Sequence, residues 1–324
     1  AITTGPNNVV IGGYTGDALT TGSNNIAIGV GALGAEDASS YNIAIGTNAL
    51  TTQNAAVDAH NIAIGHNAGY AMTTGNLNLC IGSYAGDTLT TGVRNTAVGH
   101  YALTEEDGNG YNVAIGYAVL QNQNAGTDAY NVGMGYNAGH ATTTGVKNVL
   151  LGGHAGDNIT TGAYNIAIGY HALGTEDAYG RNVAIGHQAL TNQNASADAY
   201  NVAIGFYAGE AITTGSDNVF IGGYAGDAAL DTETSVFIGK NAGGATTSNS
   251  RLTFVGHEAG SAANYTGANV TAIGFRAEPS AAAAADEFTL GESSIATLRC
   301  AVNTITLISD ERDKTDIQDI DYGL

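Results

Sequence analysis

The sequence is poor in several residue types, and each absence limits what the protein is. The 324 residues include two prolines, two cysteines and no tryptophan. There are 9 Lys and Arg residues and 29 Asp and Glu residues, so the formal net charge is −20. The only cations before Lys240 are Arg94, Lys147 and Arg181. A phosphate-binding surface needs clustered Lys and Arg, so this composition excludes nucleic acid as a partner.

Other absences concern disulfides and membranes. Cys80 and Cys300 lie far apart in the sequence and have no repeated counterparts, so we expect buried free thiols. No apolar run approaches the roughly 18 residues that a membrane-spanning helix needs, so we expect no membrane insertion. No signal peptide is recognisable. Because Ala1 falls inside a repeat, we expect the sequence to be a segment of a longer protein.

What the sequence has in abundance is glycine in a repeating pattern. Its 47 glycines come with many valines, isoleucines and tyrosines, which is typical of neither a disordered chain nor collagen. The pattern apolar-x-apolar-Gly occurs sixteen times, with glycines at Gly12, Gly29, Gly46, Gly65, Gly82, Gly99, Gly116, Gly135, Gly152, Gly169, Gly186, Gly205, Gly222, Gly239, Gly256 and Gly274. Steps of 17, 17, 19 and 17 residues recur, so four units make a 70-residue super-repeat.

A constant repeat with a local period of two predicts an all-β solenoid or β-roll. We therefore expect about sixteen coils of 17–19 residues, each buried only by stacking on its neighbours. Positions in a coil are numbered here from its repeat glycine. Asn occupies position −4 in thirteen coils and Ala occupies position +3 in fourteen. We expect the asparagines to form a hydrogen-bonded ladder along the stack and the alanines to line a thin coil.

The residue at position −2 is never polar. Because successive side chains of a strand point to opposite faces, it lies on the other face from the residues at −3 and −1, where a polar residue is expected if the first face is the core. If the larger residues, such as Ile166 and Ile168, point into the coil, position −2 forms an apolar stripe along the outside, which predicts an association surface. We expect its partners to be two further copies of the chain in a parallel homotrimer. An alternative is a coil that covers both strand faces internally. The candidate interface residues are Ala27, Ala44, Ala63, Ala97, Ala114, Ala167, Ala184, Ala203, Phe220, Phe237 and Phe254.

The connecting segments contain repeated acidic residues and scattered histidines. Acidic pairs recur as Glu36-Asp37, Glu106-Asp107 and Glu176-Asp177. No calcium-binding loop pattern accompanies them, so we interpret them as solvated surface rather than cation sites. The histidines follow the repeat glycines without a constant position, so we predict no metal and no cofactor.

The C-terminal end differs from the repeat. A strand-like stretch at 288–308 is followed by Ser309-Asp310-Glu311-Arg312-Asp313-Lys314-Thr315-Asp316-Ile317. The pattern Ser-Asp-x-Arg-x-Lys-x-x-Ile resembles the opening of the auto-cleaving intramolecular chaperone domain of phage tail fibres and tailspikes. The resemblance covers about thirty residues, and the NxAIGxxAL coils resemble phage fibre shafts and, more distantly, the heads of trimeric autotransporter adhesins. Members of those families are homotrimers.

The resemblance implies a single self-cleavage rather than an enzyme with turnover. It implies that Ser309 is the nucleophile, that Lys314 is the general base, and that the Ile308–Ser309 bond is cut. A lysine acting as base must be neutral, so its pKa has to be lowered by burial or by its neighbours. The alternative is that these residues belong to a charged surface helix.

These observations predict three segments: a repeat shaft over 1–274, a closing β region over 275–308, and the start of the chaperone domain over 309–324. We expect the structural shaft of a phage tail fibre or tailspike, extracellular on a virion, joined to the tail or baseplate through an upstream region. Its role would be attachment to a host cell-surface glycan or protein. Alternatives are a trimeric autotransporter-type adhesin and a monomeric solenoid that binds ice or matrix.

Overall fold

The computed structural model describes residues 5–248 and 250–297. The chain divides into two compact units, residues 1–292 and 293–324, and all strands of the described residues lie in the first. Within the described residues the chain forms no apolar helix long enough to cross a bilayer. Cys300 and the cleavage sequence fall outside the described residues.

Seventeen short strands, one for each coil, build a single sheet. They are β1 Val9–Ile11, β2 Ile26–Ile28, β3 Ile43–Ile45, β4 Ile62–Ile64, β5 Leu79–Ile81, β6 Thr96–Val98, β7 Val113–Ile115, β8 Val132–Met134, β9 Val149–Leu151, β10 Ile166–Ile168, β11 Val183–Ile185, β12 Val202–Ile204, β13 Val219–Ile221, β14 Val236–Ile238, β15 Leu252–Val255, β16 Val270–Ile273 and β17 Glu287–Leu290. Each strand pairs in parallel with the next one along the chain, in register. The predicted all-β solenoid is confirmed.

The prediction that the repeat stops at Gly274 is wrong by one coil. Strand β17 pairs with β16, and its Leu290 is followed by Gly291. The sequence contained the signal, because Phe288-Thr289-Leu290-Gly291 repeats the apolar-x-apolar-Gly pattern 17 residues after Gly274. Seventeen strands at about 4.8 Å spacing make a sheet roughly 75 Å long.

The repeat glycines stack directly on one another, which explains why no other residue replaces them. Each has a φ between +128° and +145° from Gly12 to Gly274, a region that side chains with a Cβ rarely adopt. A Cβ on Gly169 would lie 2.3 Å from the carbonyl oxygen of Gly186 in the next coil. Both the backbone conformation and the stacking distance therefore require glycine.

The predicted asparagine ladder is confirmed. From Asn8 to Asn218, the side-chain Oδ1 of each position −4 asparagine accepts a hydrogen bond from the backbone N–H of position −4 in the next coil, at 2.8–3.1 Å. The Nδ2 of Asn148 donates to the carbonyl oxygen of Gly162 at 2.9 Å. The ladder ends on Ser235, after which Leu252 and Val270 occupy position −4 and are fully buried.

The core is thin, because almost every coil has room for only one large buried side chain. This large side chain lies at position +4, +7 or −2 of its coil. Along the chain, these residues are Leu19, Leu33, Leu50, Met72, Leu89, Leu103, Leu120, Leu150, Ile159, Leu173, Leu190, Ile212, Phe220, Phe237 and Phe254. The other inward positions are then small. Gly243 shows the limit, since a Cβ there would lie 2.5 Å from the ring of Phe237. Position +3 is lined by buried alanines, as predicted.

Candidate functional site: the outer face of the sheet

The side chains at positions −3 and −1 of the seventeen strands point away from the coil and form what we call the outer face. Of these 34 side chains, two from each strand, only Thr96, Thr253 and Thr271 are not wholly apolar. The rest are Val, Ile, Leu, Met and Phe, and none is charged. Outward-pointing residues of a sheet that meets water are normally polar, so this composition is that of a covered surface.

The outer face is only partly buried by its own chain. Nearly every strand has a buried central residue flanked by two partly exposed ones, because neighbouring coils cover the flanks of each side chain but not its tip. Exposure rises to 47% for Met134, to 57% for Ile11 in the first coil and to 63% for Phe288 in the last. The apolar tips therefore line up in two parallel rows along the rod.

The size of the outer face is comparable to a protein interface. A sheet roughly 75 Å long and three residues wide, or roughly 10 Å, presents on the order of 700 Å². The largest apolar patch on a typical monomer covers about 300–600 Å², and a standard interface buries about 800 Å² on each partner. An unpartnered apolar face of this extent would favour association.

The predicted assignment of position −2 to an intermolecular interface is wrong. All eleven candidates, from Ala27 to Phe254, are fully buried within a single chain. The side chains point the opposite way from the prediction, because Ala167 lies inside the coil and Ile166 and Ile168 lie outside it. The reason is volume: a large side chain at +4 or +7 already fills most layers, so an inward isoleucine pair would overpack them. The alternative, a coil that covers both strand faces internally, does not hold either, because only the −2 side is covered and the −3 and −1 side is partly exposed.

A ladder of aromatic rings borders the strand ends. It occupies positions +1 and +2 and runs through consecutive coils from His66 to Tyr224, with neighbouring ring centroids 4.0–6.4 Å apart. Five of the chain's histidines lie in it, and His154 stacks on His171 at 4.8 Å. These histidines have no constant position after the repeat glycines, but stacking of the coils brings them into one ladder.

A second exposed column borders the strand starts, at position −5. From Arg94 to Tyr200, seven successive coils contribute the residues that we call the cation–tyrosine column: Arg94, Tyr111, Tyr130, Lys147, Tyr164, Arg181 and Tyr200. Each has a positive φ between 52° and 66°, which turns its side chain out of the coil. The aromatic ladder, which follows the strands, and the cation–tyrosine column, which precedes them, therefore lie on either side of the outer face.

Three glutamates lie inside the coil, contrary to the interpretation of the acidic pairs as solvated surface. Glu36, Glu106 and Glu176 occupy position +7 and are fully buried. The Oε1 of Glu36 accepts hydrogen bonds from the backbone N–H groups of Asp37, Ala38 and Ser39, while its Oε2 has no partner. Sequence reasoning missed this, although position +7 is otherwise apolar or Gln in most coils, as with Leu19 and Gln53.

Burial raises the pKa of all three glutamates, and that of Glu176 to about 7. A carboxyl whose pKa is higher in the folded than in the unfolded state stabilises the fold below its unfolded pKa and loses that contribution as pH rises through the folded value. For these groups the loss runs from about pH 4.5 upward, through about 7 for Glu176. We therefore expect the solenoid to be more stable at pH 6 than at pH 8.5, by about 1 kcal/mol from Glu176.

Urea unfolding at the two pH values measures this difference. The matched variant replaces all three glutamates by the isosteric, uncharged glutamine, as Glu36→Gln, Glu106→Gln and Glu176→Gln. Its unfolding midpoint in urea should differ less between the two pH values than that of the wild type, and it should be more stable than the wild type at pH 8.5. Equal pH dependence in the two proteins would show that the buried glutamates do not cause it.

Other chemistry in the described residues is sparse. No group of three or more His, Cys, Asp or Glu side chains there is arranged to hold a metal ion. Burial raises the pKa of Asp87 to about 6, where Glu105 adds a repulsive charge, and raises that of the free thiol of Cys80 to about 12. Asp227 borders an open surface depression with Tyr224, Lys240 and Glu258. The absence of an enzymatic activity stays a prediction.

The two residues predicted for self-cleavage, Ser309 and Lys314, lie outside the described residues, as does the Ile308–Ser309 bond. The cleavage prediction therefore rests on the sequence pattern.

No protein-family model, curated protein or solved structure matches this chain. The β-solenoid and its outer face thus stand on the chain's own geometry.

Proposed function

We propose that this chain is the shaft of a trimeric attachment fibre of the phage tail-fibre type, in which three parallel copies pack their outer faces around a common axis. The observation that carries the proposal is the uncharged, almost wholly apolar outer face, which is left partly exposed along seventeen coils. A surface of this length needs a partner that is equally long and apolar.

A second copy of the chain meets that requirement better than an unrelated partner does. The rows of Ile and Val tips repeat once per coil, at about 4.8 Å, and an identical sheet in register offers the same spacing over the whole length. Closed rotational symmetry then covers the face on every copy. The number three comes from the resemblance of the coils and of the Ser309 sequence to homotrimeric fibres.

A rod suits a structural role. The coils are joined by a continuous parallel ladder and by the asparagine ladder, so bending requires breaking many hydrogen bonds together. Among the described residues the chain has few features of a catalyst, and its exposed columns repeat along the axis. A rigid spacer that presents repeated contacts is what attachment to a cell surface requires.

The test is the mass of the protein in solution. Sedimentation should give about three times the chain mass of 32.6 kDa. The variant Ile64→Glu with Ile168→Glu puts charge on two distant coils of the outer face and should sediment as a monomer. Its matched control, Val57→Glu with Leu230→Glu, puts the same charge on exposed apolar residues outside that face and should stay trimeric.

A wild-type mass of 32.6 kDa would overturn the proposal and favour the monomeric solenoid. A mass of twice that value would overturn the three-fold arrangement. Equal masses for the two doubly substituted proteins would show that the outer face is not the interface.

A further inference from the structure

We propose that the cation–tyrosine column binds a linear anionic polysaccharide lengthwise along the rod. The proposal deepens the attachment role, on which it rests for its biological setting, by naming the ligand class and the residues that hold it. It does not depend on how many copies the fibre contains.

The distribution of positive charge singles out this column. The chain carries a net charge of −20, and its only three cations before Lys240 all fall at position −5, within seven successive coils. Coils of 17–19 residues offer many other exposed positions, and none of these takes a Lys or Arg over that range. Outside the column, the coils before Lys240 carry only acidic and uncharged side chains, so over that range binding would be confined to the column.

The cations are held in place by the rings beside them. The guanidinium of Arg94 lies 5.4 Å from the ring centroid of Tyr111, and its Nη1 donates to the Tyr111 hydroxyl at 2.5 Å. The ammonium of Lys147 lies 5.1 Å from the ring of Tyr164 and donates to its hydroxyl at 3.3 Å. Cation–π contacts of this kind restrict long side chains without neutralising them, so the charges are preorganised for an incoming anion.

Two of the three cations lack a carboxylate partner. Arg181 lies between the rings of Tyr164 and Tyr200 and pairs with Asp198 at 2.7 Å. Among the described residues, Arg94 and Lys147 form no ion pair. On an acidic chain, cations left without an acidic neighbour are available to carboxylate or sulfate groups of a ligand, for which Arg offers a planar set of donors.

The tyrosines supply the second half of the recognition. Tyr111 and Tyr130 stack with centroids 4.8 Å apart, and Tyr130, Tyr164 and Tyr200 are each about half exposed. Their rings combine a large apolar body with a hydroxyl, so they suit sugar rings, which have apolar C–H faces and polar edges. Six coil spacings extend the column over roughly 29 Å, which fits several consecutive units of a straight polymer better than a single small ligand.

Binding of polygalacturonate, measured by isothermal titration calorimetry with neutral dextran and dextran sulfate in parallel, tests the proposal. We expect the wild type to bind at least one anionic polymer, to bind it more weakly as salt is raised, and not to bind dextran. The two anionic polymers separate carboxylate from sulfate recognition. The variant Arg94→Gln with Lys147→Gln should lose at least tenfold in affinity.

The matched control is Lys240→Gln with Arg276→Gln, which removes the same charge outside the column and should bind within about twofold of the wild type. A third variant, Tyr164→Leu, should weaken binding while leaving the charge unchanged. Thermal unfolding and sedimentation of each variant show whether fold and assembly are intact, so a loss of binding in a variant that folds and assembles like the wild type concerns the column alone.

Three results would overturn the proposal: equal affinity for dextran and the anionic polymers, no binding of any polymer by a correctly assembled protein, or equal losses in the two charge-removing variants. Tighter binding of single-stranded poly(U) than of either anionic polysaccharide would also overturn it, in favour of nucleic acid.

Discussion

Gly152→Ala is expected to destabilise the solenoid by at least about 3 kcal/mol, or to prevent its central coils from stacking. Two costs add at this position. The φ of Gly152 is +134°, a conformation that costs other residues about 1–3 kcal/mol. The new Cβ would also lie 2.6 Å from the carbonyl oxygen of Gly169, so the next coil has to move away and weaken the ladder on both sides.

The neighbouring residue provides the control. Gly153 has no positive φ, and its nearest atom to an added Cβ is the ring of Tyr170 at 3.4 Å. Other coils carry His or Tyr at this position, so Gly153→Ala should change stability by less than about 0.5 kcal/mol. Urea unfolding followed by circular dichroism compares the two. Similar losses for both variants would refute the stacking explanation.

Asn148→Ala is expected to cost about 2–5 kcal/mol. Its Oδ1 accepts the backbone N–H of Asn165 at 2.9 Å, and its Nδ2 donates to the carbonyl of Gly162 at 2.9 Å. The backbone groups have no water to replace the lost side chain, because Asn148 and Asn165 are fully buried. Each buried polar group left without a partner costs about 1–3 kcal/mol.

Asn124→Ala serves as the matched control, because the Asn124 side chain is exposed. Its contact with the next coil is made by the backbone N–H, which donates to the carbonyl oxygen of Thr143 and is kept in the variant. It should be nearly neutral. Amide hydrogen exchange adds a local readout: in Asn148→Ala the N–H of Asn165 should lose protection, while amides several coils away keep theirs, since a solenoid's coils interact mainly with their neighbours. Retained protection at Asn165 would contradict the ladder's role.

The repeat made much of this architecture predictable. The spacing of the glycines and the period of two were enough to predict a β-solenoid. The recurrence of Asn at −4 was enough to predict a hydrogen-bonded ladder, because residues at the same position of successive coils stack on one another. The same reasoning applied to Phe288–Gly291 would have added the seventeenth coil. Local pattern decides these features, so no tertiary information was needed.

Burial was harder to predict, because alternation alone does not say which set of side chains faces inward. Ile166 and Ile168 are larger than Ala167, and size suggested the wrong side. The prediction for Glu176 was wrong for the same reason. Its charge suggested that it faces solvent, yet the coil buries the carboxyl and raises its pKa. Both errors come from judging residues singly when the volume of a layer is shared among several positions.

The sequence by itself determined the β-solenoid, its coil length, its glycine stack and its asparagine ladder, since each depends on contacts between identical positions one repeat apart. Only the tertiary structure decided which face is core and which is surface, and it placed position −5, which Arg94, Lys147 and Arg181 share, on the exposed side beside the tyrosine rings. The physical reason is that both outcomes depend on how the chain closes each coil, where large side chains at +4, +7 or −2 fill the interior and leave the Ile and Val rows outside.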